Sequence, residues 1–324
     1  MTNRYDVGPV SGLDQQPHLS MVRPRESSAT IVGFFGGDIE GTLAKFGALL
    51  FRDFPIRTDE DFAGLVTSLA RRPLDYRERS TKRTRTASNV YTSTEYPATK
   101  GIAAHSENSF QLTVPGKILF FAKRPSDSGG ETPLAANTRI VHRLDADVLR
   151  ELRQREIRYV RNFDGGFDLS WQEAFQTETR AEVESYCRIN AIDYEWTDPD
   201  HLRTWQTRPA TRHYPRTGQE VWFNQLHLFH SSNLDPAMRT AMVDSLGVDG
   251  LPRNAVFGDG TAISDELVDH VRKAIAASEV AFPWSAGDVL VADNLLISHG
   301  RRPYSGTREV RVALIDPVDL REDA

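Results

Sequence analysis

Two histidines and one glutamate carry the chemistry open to this chain. His105 and Glu107 stand two apart in Ile102-Ala103-Ala104-His105-Ser106-Glu107-Asn108-Ser109-Phe110, and His299 closes a second apolar stretch that begins at Val289. His-x-Glu with a remote His is the donor set of a 2-His-1-carboxylate site, which holds iron(II) on one face and leaves the other positions open for substrate, cosubstrate or oxygen. If His105 and Glu107 lie on a strand, the period of two points both to one side. His299 must then arrive from a strand or loop packed beside them. The three residues alone would sooner be read as a solvated turn and a buried, hydrogen-bonded ring; the surrounding sequence reverses that preference.

The elements that must position these residues are short strands interleaved with a few helices. Ala48 to Phe54 is an apolar run ended by charge and Pro55, and Lys117 to Ala122 is a second; both read as buried strands. Ile157 to Arg161, Glu220 to His227, Asp288 to Ala292 and Arg308 to Ile315 have strand character as well. Helices are expected from Gly37 to Phe46, after the N-cap Thr58, from Asn137 to Gln154, over most of Trp171 to Glu195, and from Ser264 onward. Pro199 to Pro215 is polar and reads as a surface segment. Arg77 to Ala103 is irregular and rich in Arg, Ser and Thr, which suits a lid or a surface excursion just ahead of His105. Residues 1–30 are polar and aperiodic, a loosely ordered lead-in to a single domain over 31–324. There are no repeats and no regular βαβ alternation. The fold class is therefore mainly β with flanking helices (α+β), a sandwich or jelly roll with helices outside.

Bulk properties exclude several functions. The 324 residues are 39% hydrophobic and 26% charged with a net charge of −6, which suits a soluble globular protein and gives no electrostatic reason for a nucleic-acid partner. One cysteine, Cys187, permits neither an internal disulfide nor a thiolate metal cluster. No apolar run reaches the roughly twenty residues of a membrane span, and no signal-like N-terminus is seen; the expected location is cytoplasmic. Gly36-Gly37 and Gly129-Gly130 do not form a dinucleotide-binding pattern.

Seven blocks in order then carry a resemblance. They are His105 to Phe110; Ser128-Gly129-Gly130-Glu131-Thr132-Pro133-Leu134; Ser170 to Thr177; Glu220-Val221-Trp222-Phe223-Asn224-Gln225; Trp284 to Leu290; Asp293-Asn294; and Ser298-His299-Gly300-Arg301-Arg302-Pro303-Tyr304-Ser305-Gly306. Together they resemble the taurine dioxygenase-like (TauD/TfdA) branch of iron(II)/2-oxoglutarate-dependent oxygenases, over about residues 40 to 315. Within it they are most similar to the syringomycin-type group that tailors amino acids in natural-product pathways. The resemblance implies a double-stranded β-helix (jelly roll, cupin-like) core, with Fe(II), 2-oxoglutarate and O2 as cofactor and cosubstrates.

Residue by residue, it implies His105, Glu107 and His299 as iron ligands and Thr132 as a donor to the distal carboxylate of 2-oxoglutarate. The arginine pairing with that carboxylate is Arg308, with Arg311 as second choice; alternation puts the two on opposite faces. Arginine's planar fork suits such an anchor. Taurine-type enzymes carry a second arginine four residues on, where this chain has Val312, which argues against a sulfonate substrate. Glu107 argues for hydroxylation over halogenation, because related halogenases lack the carboxylate so that chloride can take its place. The implied substrate is a small amino-acid-like molecule, free or tethered to a carrier protein, with Asn108, Ser109, Gln111, Trp222 and Asn224 as its candidate contacts. Desaturation, cyclisation or oxidative decarboxylation could use the same iron site. A zinc hydrolase could also use two His and one Glu but leaves Thr132 and Arg308 unexplained, and a non-catalytic binding protein would have lost ligands or anchors that are all present. His227 and His230, at i and i+3, are expected to be structural or substrate-contacting.

Overall fold

The computed structural model describes residues 4–10, 12–13, 18–72, 78, 84–87, 90–93, 96–163, 168–197 and 200–323. Its centre is a long hairpin-like pair, Thr113–Arg124 and Glu309–Asp319, which run antiparallel over almost their whole length. Around this pair an eight-stranded major sheet is ordered Tyr5–Pro9, Leu19–Pro24, Ala48–Phe51, Val289–Asp293, Thr113–Arg124, Glu309–Asp319, Val90–Thr92, Arg85–Ala87. A four-stranded minor sheet faces it, ordered Glu279–Val280, Leu134–Ala136, Ile297–Arg301, Ile102–His105. The two form the walls of a jelly roll.

The near-continuous apolar runs make sense because the major sheet is covered on both faces. Ile118, Phe120, Leu290, Ala292, Val312 and Leu314 point into the space between the sheets. Leu119, Phe121, Val289, Val291, Ala313 and Ile315 point the other way, against Ile39, Leu43, Phe62 and Val66 of helices Ile39–Phe46 and Asp59–Leu69. Each fully buried Val, Leu, Ile or Phe among them contributes about 1.5–3 kcal/mol. The second of these helices starts on a capping box, in which Thr58 and Asp61 each accept from the other's backbone N–H.

A third, outer sheet, ordered Asp193–Trp196, Leu202–Arg208, Ile157–Phe163, Arg253–Phe257, packs beyond the minor sheet together with helix Asp265–Ser278. Among the described residues no helix is long and apolar enough to cross a membrane.

Several segments differ from the sequence expectation. The lead-in over 1–30 contains strands Tyr5–Pro9 and Leu19–Pro24, the second pairing in parallel with Ala48–Phe51 and burying Leu19 and Val22. Strands this short bury too few side chains to show a period. The Asn137–Gln154 helix is two helices, Asn137–Arg143 and Ala146–Arg155, broken at Leu144 and Asp145. The polar segment from Pro199 to Pro215 holds strands Leu202–Arg208 and Thr211–His213. Its inward row is polar (Thr204, Gln206, Arg208), so hydrophobic alternation gives no signal there. Of the suggested lid, residues 77, 79–83, 88–89 and 94–95 lie outside the described residues.

Candidate metal centre

The minor sheet brings the three candidate ligands together. His105 ends strand Ile102–His105, and His299 lies in mid-strand Ile297–Arg301 as its direct ladder partner. Their ring centroids are 4.8 Å apart. Gly300 permits this approach, since a Cβ there would sit 2.5 Å from the Ile102 carbonyl oxygen. Glu107 is not on the strand: the chain leaves the sheet after His105 and Glu107 stands in the following turn. It nevertheless converges, with Oε2 3.7 Å from His299 Nε2. One donor atom from each of His105, Glu107 and His299 fits within a 4.8 Å cluster.

That donor set suits iron. Two imidazoles and one hard carboxylate, gathered at one side of a mostly buried pocket, match a facial three-point site for a divalent ion. His105 Nδ1 lies 2.9 Å from the Ala103 carbonyl oxygen. A carbonyl only accepts, so Nδ1 carries the hydrogen and Nε2 holds the lone pair, the usual way a ligating ring is oriented.

Neutral hydrogen bonds fix the backbone around the candidate ligands. Asn294 Oδ1 accepts from Glu107 N at 2.7 Å, and Asn294 Nδ2 donates to the Glu107 and Pro115 carbonyls at 3.0 and 2.9 Å. Asn137 donates to Ser106 Oγ at 2.9 Å and accepts from Ser298 Oγ at 2.7 Å. Gln225 Nε2 donates to the Ser106 carbonyl at 2.8 Å. His227 Nε2 donates to the Ala104 carbonyl at 3.1 Å, and burial holds its ring well below the ordinary pKa, at about 3, so it stays neutral. His230 meets the Ile263 carbonyl and Ser232. Neither histidine joins the ligand cluster.

Beside the cluster lies a narrow pocket lined by His105, His299, Phe120, Thr132, Arg301 and Arg308. Thr132 is buried and its Oγ1 accepts from Trp284 Nε1 at 3.2 Å. Arg308 Nε donates to the Gly130 carbonyl at 2.9 Å and Nη1 to Ser93 Oγ at 3.3 Å. Burial, then the neighbouring Arg301 charge, lowers its pKa to about 10, which leaves it a cation at neutral pH. Arg311 is on the other face of the major sheet, paired with Asp59 and Glu309 at 3.0 Å each.

Arg301, Trp284 and Ser93 were not singled out as site residues from sequence. For Arg301 the signal existed: two residues past His299, it shares a face with that residue if the strand continues through Gly300. The substrate-contact candidates divide. Ser109 Oγ donates to the Ser106 carbonyl, Gln111 Nε2 to the Glu78 carbonyl, and Asn224 Nδ2 to the Ala210 carbonyl, so each spends a polar group on backbone. Strand Glu220–Trp222 ends before Asn224, so Trp222 and Asn224 do not share a strand face. Asn108 has a left-handed φ of 55° and a buried Oδ1 without a hydrogen-bond partner, and the Trp222 indole N–H is likewise buried without one.

A larger groove of about 790 Å³ opens on the outer sheet between Arg158, Trp205 and Val243. It shares no lining residue with the pocket above, and none of His105, Glu107 and His299 lines it.

Comparison with known proteins gives one family. The model of the taurine catabolism dioxygenase TauD, TfdA family matches residues 36–314. Dapdiamide synthesis protein DdaC of Enterobacter agglomerans is 57% identical over 320 residues, covering 98% of this chain and 96% of that one. A clavaminate synthase-like protein of Arabidopsis thaliana is 28% identical over 287 residues, covering 85% and 83%. Among solved structures, PvcB, an Fe, alpha-ketoglutarate dependent oxygenase from an isonitrile synthetic pathway, superposes with a TM-score of 0.58 at 14% identity, covering 99% of this chain and 96% of that one. AAD-2, solved with Mn(II) and N-oxalylglycine, gives 0.53 at 14% identity, covering 96% of each chain.

Proposed function

The chain belongs to the TauD, TfdA family, and on that premise we propose that it hydroxylates an unactivated C–H bond of an amino-acid-like substrate in a natural-product pathway. It is a 2-oxoglutarate-dependent oxygenase that uses Fe(II) and O2. In the proposed reaction one oxygen atom enters the substrate as hydroxyl, the other enters succinate, and 2-oxoglutarate loses CO2. Bound iron(II) supplies the oxygen-activating redox chemistry. The substrate is free or tethered to a carrier protein, and the 57% identity to a dapdiamide synthesis protein supports the natural-product setting.

The observation that carries the reading is the convergence of His105, Glu107 and His299 beside a pocket holding Thr132 and a guanidinium, Arg308, that has no carboxylate partner among the described residues. His105, Glu107 and His299 hold the metal. Arg308 and Thr132 take the distal carboxylate of 2-oxoglutarate, Arg308 by charge-assisted hydrogen bonds and Thr132 by its hydroxyl, which Trp284 orients. Glu107 fills the position that a halide would need, which favours hydroxyl transfer. Asn108 and Trp222 each keep a buried polar group without a hydrogen-bond partner, but neither lines the pocket beside the cluster.

The test is anaerobic addition of Fe(II) and 2-oxoglutarate, followed by oxygen and a panel of amino acids and carrier-bound aminoacyl groups. The expected result is a visible metal-to-ligand charge-transfer band, then succinate release coupled to a product heavier by one oxygen. No band and no succinate with any substrate would end the oxygenase assignment. Succinate with a dehydrogenated or chlorinated product would end the hydroxylation proposal alone.

A further inference from the structure

We propose that Asn294 is a positioning residue for the metal site: its amide stands in for a missing β-strand and sets where Glu107 presents its carboxylate. The proposal rests on the reading of Glu107 as a ligand.

The ladder of the minor sheet ends at His105, and the next residues leave it. Glu107 is 3% exposed, so its backbone N–H and C=O must find partners inside the protein. A following strand residue would receive both from a neighbouring strand. Here both come from one side chain. Asn294 Oδ1 accepts the Glu107 N–H, Nδ2 donates one hydrogen to the Glu107 carbonyl, and the second goes to the Pro115 carbonyl of the major sheet. The three bonds use both amide hydrogens and fix which way the amide faces, because a flipped amide would aim donors at the Glu107 N–H. Asn294 is itself fully buried, and its own N–H donates to the Gly116 carbonyl.

Asn294 is also placed where it can coordinate two ligands at once. It sits in the turn between strands Val289–Asp293 and Ile297–Arg301, and the second strand carries His299. Asp293 rigidifies that turn by accepting from the Leu295 and Leu296 N–H groups and from the Tyr214 hydroxyl. The turn therefore delivers His299 through the strand and Glu107 through the amide. Misplacing a ligand backbone by a fraction of an ångström degrades a metal site without unfolding the protein.

Asn294→Asp tests this most directly, since it keeps shape and one acceptor but turns an oxygen toward two carbonyls. The measurement is the affinity of the full-length protein for Co(II), read anaerobically from its d–d absorption, beside a thermal melt without metal. Asn162→Ala is the control; it removes two amide-to-carbonyl bonds, to Asp249 and Leu251, on the outer sheet. The expected result is Co(II) affinity weaker by about 10–100-fold in Asn294→Asp and unchanged in Asn162→Ala at a comparable loss of melting temperature. If Asn294→Asp does not fold, Asn294→Ala, which removes the bonds without the repulsion, carries the same comparison. A folded Asn294 variant that melts early yet binds Co(II) as the wild type does would overturn the positioning role. A wild type that binds no Co(II) would instead bring down the ligand assignment of Glu107, and this inference with it.

Discussion

Two arginines at the major sheet carry buried charge in opposite ways. On the helix-covered face, charges are neutralised. Lys117 pairs with Glu40 and Asp316 at 2.9 and 2.8 Å, and Arg311 with Asp59 and Glu309 at 3.0 Å each. On the face turned toward the minor sheet, Arg308 rests on a carbonyl and a hydroxyl, and amides and hydroxyls orient the ligand residues. A buried ion pair satisfies its members and leaves nothing to give a ligand. A guanidinium hydrogen-bonded to neutral groups, with Glu131 acting on it only through space, keeps its donors open to an arriving anion at the cost of desolvation. Arg311 is spent on the fold, whereas Arg308 keeps the charge that the proposed function assigns to 2-oxoglutarate.

Breaking the binding face at the metal gives the largest effect. Glu107→Ala is expected to remove product formation below detection, measured as substrate-coupled succinate; wild-type-like turnover would take Glu107 out of the ligand set. Next come the two arginines, which test the comparison itself. Arg308→Ala is expected to raise the KM for 2-oxoglutarate by about 10–100-fold, the weight of one hydrogen-bonded charge. Arg311→Ala should leave that KM within about twofold and instead lower stability by about 1–3 kcal/mol in urea melts. The reverse outcome would exchange their roles.

Glu78 is an intermediate case. It is buried against Gln206 and Tyr186, with the Arg161 and Arg208 charges near, yet burial wins and raises its pKa from 4.5 to about 7. Between those values the folded protein holds a proton that the unfolded chain has released, so stability falls as pH rises from 4.5 to 7 and levels off above. The expected size is about 3 kcal/mol at one pKa unit per 1.36 kcal/mol. Melts at pH 5 and 8 should show the fall in wild type and a reduced one in Glu78→Gln. The smallest expected effect is at Trp284. Replacing it with Phe removes the indole N–H bond to Thr132 while keeping an aromatic ring against Phe282, and should raise the 2-oxoglutarate KM by a few-fold, about 1 kcal/mol.

Much of this was legible from residue order. The apolar runs at Ala48, Lys117, Val289 and Val310 announced strands because both faces of the major sheet are covered, and Thr58 announced its helix through a cap that is purely local. Strand Leu202–Arg208 was not legible, because its inward residues are polar and their burial depends on partners distant in sequence. At the site, period-two reasoning would bring Glu107 and His105 to one face if both lay on a strand. The structure ends the strand two residues short of Glu107 and recovers the geometry with Asn294, 187 residues away. A tertiary hydrogen bond of that kind leaves no mark on local periodicity. Arg301 was hidden for a related reason, since Gly300 reads as a breaker where it serves as clearance between strands.

His105 and His299 are rungs of one ladder, and this decouples the reaction from chain length. Ser106 and Ser298, their inner neighbours, are 192 residues apart in sequence and in contact in space. The span between them includes the whole outer sheet, and it can gain, lose or exchange loops without altering the distance between the two rings. A single residue inserted within Ile297–Arg301 would turn His299 to the opposite side of the sheet. The architecture thus separates a strand in which one added residue displaces a candidate ligand from connecting loops whose length does not set the register of the two rings.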